Sequence, residues 1–182
     1  MKQVGFVGAF DKTDLIIYIA KILTVLGKRV LIADTTITQK AKYVVPALNP
    51  TLSYITEFEE IDIAVGFKNV EAIANYTNRS IETLEYDYLL LDIDSAESAM
   101  NFRIDRSVQN FFVTSFDTYD IRRGIEILNQ FQNPIKMTKV LFSKEVTKED
   151  DEYLNYLSLG AKVMWEDDRI YFPLEMGDKT VC

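Results

Sequence analysis

The chain has 182 residues, a net charge of −8 and a pI of about 4.7. That charge argues against a broad nucleic-acid surface, which needs clustered Lys and Arg, and a hydrophobic content of 48% argues against disorder. There is no histidine and one cysteine, Cys182, which excludes His-based triads, His-ligated metals, Cys clusters for zinc and an intrachain disulfide framework. A reducing, cytoplasmic setting is the expectation. The first apolar runs are broken by Gly5, Asp11, Lys12 and Asp14, so no signal peptide is expected. No run of ~18 apolar residues offers a membrane span.

Short β-rich runs alternate with helical patterns, the sign of a mostly parallel, doubly wound α/β sheet with helices on both faces in one domain, residues 1–182. A strand is predicted over Gln3–Val7, then a helix over Thr13–Leu26 with apolar residues at Ile16, Ile19, Ala20 and Leu23, ended by Gly27. "RVLIADT" is a buried strand ending at Asp34. "YITEFEEIDIAVGF" (54–67) reads as a hairpin or two short strands around Glu59 and Glu60, and "KNVEAIANYTN" as a helix. "YDYLLLDID" is a third strong strand, Tyr88–Leu91, with Asp92 at its carboxyl end. "VQNFFVTS" (108–115) and "KMTKVLFSK" (136–144) are further strands, separated by the amphipathic helix "TYDIRRGIEILNQF". "KEDDEYLNYLSLG" reads as a helix capped by Gly160, and "AKVMWEDDRIYFPL" as one or two short strands. Ligands of open α/β sheets bind beyond the carboxyl ends of the strands. Gly8, Asp34, Asp92, Ser115 and Ser143 are expected along that edge.

This order of strand, loop, "KT", apolar helix, "GKRVLIAD" and "YDYLLLD" resembles the ParA/MinD-like (SIMIBI) branch of the P-loop ATPases. "GKRVLIAD" is similar to the family's second strand, which ends in a catalytic-site aspartate, here Asp34. "YDYLLLD" is similar to its Walker B strand, which ends in the aspartate that organises Mg²⁺, here Asp92. "GFKNVEAI" and "RIYFPLE" fall where the family has a helix and a proline-bearing last strand. Within the family, the match is to pilus-assembly localisation proteins of the CpaE/TadZ kind.

The phosphate loop departs from the family. G-x-x-x-x-G-K-[ST] lets backbone N–H groups wrap the phosphates. Counted back from Lys12, the two glycine positions hold Asp11 and Phe6, and the branch's signature lysine falls at Val7. Aligned on the strand instead, only Gly8-Ala9-Phe10-Asp11 precede Lys12, which is about three residues short. Either way a carboxylate sits among the phosphates. At ~4 Å and an effective dielectric of ~20, like unit charges repel by roughly 4 kcal/mol, against the ~8 kcal/mol of micromolar binding. The acid that often follows two residues after the first aspartate is here Thr36. The resemblance therefore implies a degenerate nucleotide site, with Gly8, Asp11, Lys12 and Thr13 as its remnant and Asp34 and Asp92 vestigial. No cofactor and no metal are expected. ATP, with Mg²⁺ at Asp92, belongs to the alternative of a weak ATPase whose dimerisation nucleotide switches.

The plainer readings favour structure. Lys12 and Thr13 start a helix, with Asp11 or Thr13 as N-cap and Lys12 solvated. If the site is empty, Lys12 faces Asp34 or Asp92. Those two acids cap the segments after their strands or pair with Lys12, and Asp94 and Ser95 are loop residues. A phosphoacceptor receiver domain is a second alternative, with Asp92, Thr114 or Ser115, and Lys144 in the required order. It also needs an acidic pair after the first strand, where only Asp11 and Asp14 stand. A dinucleotide fold is disfavoured, because G-x-G-x-x-G is absent. Arg122 and Arg123 read as a solvated helix face. Most aromatics read as core, whereas Tyr43, Tyr54, Phe58 and Phe67 offer an interaction surface. "LEMGDKTVC" is too short and polar for a basic membrane-binding helix. The expectation is a non-catalytic scaffold or positioning factor with protein partners, without nucleic acid or direct membrane binding. A constitutive homodimer through an apolar face is favoured over a monomer.

Overall fold

The computed structural model describes residues 1–44, 52–142 and 148–172. In chain order the strands are β1 (Lys2–Val7), β2 (Val30–Asp34), β3 (Tyr54–Phe58), β4 (Ile61–Val65), β5 (Tyr88–Ile93), β6 (Gln109–Ser115), β7 (Ile135–Phe142) and β8 (Val163–Phe172). The helices are α1 (Thr13–Val25), α2 (Val70–Tyr76), α3 (Ala96–Asn101), α4 (Thr118–Asn129) and α5 (Lys148–Leu157). The strands form one sheet in the order β3-β4-β2-β5-β1-β6-β7-β8. Every pairing is parallel except the β3–β4 hairpin. β2 is buried along its whole length and β5 nearly so, as parallel strands covered on both faces must be.

β1 lies between β5 and β6, so β5 separates it from β2. A receiver domain instead places its first strand beside its second, and that alternative is thereby corrected. Ser143 and Lys144 lie outside the described residues. The registers Asp34↔Asp92 and Phe6↔Asp92 bring the ends of β2, β5 and β1 level.

Alternation along the strands divides the core. Val7, Leu31, Leu89, Leu91, Phe112 and Leu141 face one side, where α2, α3, α4 and α5 pack. Phe6, Ile32, Ile63, Leu90, Val113 and Val140 face the other, where α1 is the only α-helix among the described residues to join the cluster. Gly27 and Gly160 take left-handed φ of 74° and 93° just beyond α1 and α5, the usual stop for a helix.

Two local expectations differ from the structure. The last β segment is one ten-residue strand, with an irregularity opposite Met137 and Lys139 that absorbs Glu166–Asp168. Asp94 and Ser95 are loop residues, and Ser95 caps α3 by accepting from the Ser98 N–H at 3.1 Å; the six residues of α3 are too few to leave a periodic signal. Of the four aromatics expected to offer an interaction surface, three are turned inward. Tyr54 and Phe58 pack against the α1-side core, and Phe67 is buried against Tyr76, leaving Tyr43 exposed.

Candidate functional site

β1 ends at Val7, and α1 begins at Thr13. The connection, Gly8 to Lys12, turns sharply. Gly8 has φ of 149°, and a Cβ there would stand 2.1 Å from the Val113 carbonyl oxygen. Only glycine lets the chain pass so close to β6. Its N–H donates to the Ile93 carbonyl at 3.0 Å, which holds the loop against the strand ends.

Lys12 is the N-cap of α1, without a side-chain cap, and Asp11 accepts from the Thr13 N–H at 3.3 Å. The expectation that Lys12 is solvated is wrong: the residue is 2% exposed. Its Nζ donates to the Gly8 carbonyl at 2.9 Å and pairs with Asp92 Oδ1 at 2.8 Å. Burial in low dielectric demands such a partner, and the end of β5 supplies it. Thr13 Oγ1 lies 3.4 Å from Asp92 Oδ2. Burial pushes the Asp92 carboxyl above the usual carboxylate range, Lys12 pulls it down, and Asp34 and Asp11 add to the push.

Asp34 does not face Lys12. Its Oδ1 accepts from the Thr36 N–H at 3.0 Å and the Thr36 hydroxyl at 2.6 Å, and its Oδ2 from the Ala41 N–H at 2.9 Å. It therefore closes its own loop, and Thr36 is its partner. Thr35 is fastened to β5 by its N–H and its hydroxyl, which both donate to the Asp92 carbonyl. Asp94 Oδ2 accepts from the Ile37 N–H at 3.0 Å.

These loops bound a cleft of ≈ 440 Å³ at the carboxyl edge of the sheet. Lys12, Thr13, Asp92 and Asp94 line its base, and Lys40, Tyr119 and Arg123 its rim. Gly8, Asp11, Lys12, Thr13 and Asp92 thus come together, whereas Asp34 sits behind the cleft wall. Ser115 is at the same edge but is spent on α4: its hydroxyl donates to Asp120 and accepts from the Asp117 N–H. Arg123 reaches the rim rather than only solvent and pairs with Glu126 at 3.0 Å.

Lys40 was not anticipated. It lies on the 3-10 turn Lys40–Tyr43 and crosses the cleft to Asp11 Oδ2 at 2.5 Å. Half-burial raises the Asp11 carboxyl, but the Lys40 ammonium and the Thr13 N–H outweigh it and hold the group below its ordinary value. Lys40 is raised in turn, chiefly by its hydrogen bond to Asp11. The two residues are 29 positions apart, and no local pattern announces the pair.

No protein-family model and no curated protein matches the chain. Solved structures do. A ParA family ATPase from Chlorobium tepidum TLS shares 13% identity with a TM-score of 0.61, covering 96% of this chain and 84% of the other. The MinC:MinD cell division protein complex of Aquifex aeolicus gives 14% and 0.60, over 97% and 82%. A plasmid partition protein from Borrelia burgdorferi B31, bound to AMPPNP, gives 11% and 0.52, over 94% and 86%. The architecture is thus a P-loop NTPase-like α/β fold. Within that class it is the ParA/MinD-like fold, with β1 between β5 and β6 and a lysine at the start of α1. Among the described residues, no helix is long and apolar enough to cross a membrane.

Proposed function

We propose that this chain is a single ParA/MinD-like domain with a degenerate nucleotide site, working without catalysis as a cytoplasmic scaffold or positioning factor for a protein assembly. The observation that carries the reading is the occupation of Lys12 by Asp92 and the Gly8 carbonyl, in a loop of five residues between β1 and α1. A phosphate-binding loop needs room for N–H groups around the phosphates and a free lysine to meet them. Here Gly8 is pressed onto β6, Asp11 puts a carboxylate at the mouth, and Lys40 already neutralises it. The same residues fit a phosphate poorly and fit one another well.

Positioning is in keeping with two of these neighbours, a cell division protein complex and a plasmid partition protein. A pilus or secretion assembly as the cargo rests on the CpaE/TadZ-like pattern alone. Protein partners, with neither nucleic acid nor direct membrane contact, accord with a charge of −8. Calorimetry decides the central point. Mg-ATP should bind no tighter than about millimolar, roughly −4 kcal/mol, and no turnover should exceed background. A micromolar dissociation constant would falsify this reading.

One observation favours a second reading, a weak ATPase: Thr13 Oγ1 and Asp92 still stand together, as an Mg²⁺ site would need. Its mark is turnover above background that is lost in Asp92→Asn.

A further inference from the structure

α1 carries an excess of apolar surface for a helix on the outside of a sheet. Between Asp14 and Lys28 its only charged residue is Lys21, which pairs with Glu59. Ile16 and Ala20 face the sheet. At 100° per residue, Leu23 and Ile19 lie on one flank, followed around the helix by Leu26, Ile22, Tyr18 and Val25. These last four are exposed by 66, 47, 62 and 86%. An apolar arc of about 160° thus runs from the sheet to the outermost ridge, while Lys21 and Thr24 occupy the other flank.

The arc opens onto a groove of ≈ 430 Å³. Ile19 and Leu23 form one wall, Val4, Phe6 and Leu90 the floor, and Phe111 with Val108 the far side. Phe6 and Phe111 stack with centroids 5.2 Å apart, so the floor is a preformed surface. Ridge and groove lie side by side on one face and share the flank of α1. Such a face is complementary to itself when turned by a two-fold axis.

We propose that this face is the contact between two copies of the chain, the α1 ridge of each seated in the groove of the other. The inference deepens the partner-binding reading above by locating a self-association surface. Charge permits a second copy at this face although it opposes one elsewhere. Two chains of −8 repel wherever carboxylates meet, and no carboxylate lines the groove, whose one charged residue is Lys2. Area agrees. At ~150–200 Å² for a free large side chain, the four ridge residues and Val108 offer on the order of 500 Å². The groove walls bring the contact toward the ~800 Å² per partner of a standard interface.

Sedimentation of the full chain tests this at low and high salt, with and without Mg-ATP. The wild type should be a dimer without nucleotide. Salt should leave it unchanged or tighten it, because the force it screens is the mutual repulsion of two acidic chains. Val25→Asp should raise the dimer dissociation constant at least ~30-fold, since an unpaired carboxylate is buried twice in an apolar contact. Its melting temperature, extrapolated to the monomer, should stay within error, because Val25 touches solvent. Tyr18→Glu should act in the same sense. A monomer with or without Mg-ATP overturns this surface while leaving the degenerate site standing. So does a dimer insensitive to both variants. A dimer that forms only with Mg-ATP and ignores Val25→Asp overturns the surface and the degenerate site together.

Discussion

Two lysines are buried among the described residues, and each faces a buried aspartate at nearly the same distance: Lys12–Asp92 at 2.8 Å and Lys139–Asp151 at 2.7 Å. Their surroundings differ. Lys139, mid-strand in β7, also meets Asn155 Oδ1 at 2.5 Å and the Trp165 ring at 5.0 Å, and Asp151 gives its second oxygen to Arg169 at 2.8 Å. That network joins β7, α5 and β8 and leaves neither charge short of partners. Lys12 has two partners, one a backbone carbonyl, and Asp92 has the company of Asp34 and Asp11. One pair closes a core under a helix. The other closes a loop beside a cleft that water reaches. The same two charges therefore make a structural clamp in one place and a loop closure beside a cleft in the other.

Breaking the clamp should have the largest effect. Lys139→Ala strands Asp151 in the interior, and removing one partner of a buried pair costs about 3–5 kcal/mol. Urea unfolding should show that loss, and a change below ~1 kcal/mol would mean that Arg169 alone suffices for Asp151.

At the cleft the cost should be smaller. Lys12→Ala leaves Asp92 within reach of cleft water, so the expected loss is about 1–3 kcal/mol. Burial already outweighs the pull of Lys12 on Asp92, so replacing both charges at once, Lys12→Met with Asp92→Leu, should come within ~1 kcal/mol of wild type. A double variant far less stable than Lys12→Ala would show that the pair stabilises the loop rather than merely compensating itself.

A third test uses pH. Glu166 on β8 is held at about 2, below its ordinary 4.5, by Lys136 first and then by Thr138 and Gln109. A depressed carboxylate contributes stability above its unfolded value and loses it as pH falls through the folded one. The loss should therefore appear between pH 4.5 and 2. The side chain is 21% exposed, so screening limits the contribution to about 1 kcal/mol. Glu166→Gln should remove that part of the slope in acid titrations of the unfolding midpoint. Asp92 acts with the opposite sign: its folded value is raised, so protonation favours the folded state there. Asp92→Asn should remove a stabilising, not a destabilising, response to acid.

The smallest effect belongs to the pair across the cleft mouth. Lys40 and Asp11 are about half exposed, and such pairs contribute ~0–1 kcal/mol. Lys40→Ala should barely shift the melting temperature. A loss above ~2 kcal/mol would mean that Lys40 fastens the whole loop after β2.

Sequence periodicity by itself determined the parallel strands and their order along the chain. Runs such as "VLIAD" and "YLLLDI" are apolar on both faces, and only a sheet covered on both sides buries them. Loop position by itself determined that Gly8, Lys12 and Asp92 meet at one edge, because parallel strands with short connections bring their carboxyl ends level. Tertiary structure alone decided the rest. Whether Lys12 points outward or inward depended on where β5 placed a carboxylate 80 residues later. Asp34 turned to its own loop because Thr36 and Ala41 offered nearer donors. Lys139 reads as a polar interruption of β7 until α5 brings Asp151 over it. The bare flank of α1 has the same cause. A mostly apolar helix predicts burial, and which of its sides finds a neighbour is fixed by how many helices the connections send to each face of the sheet.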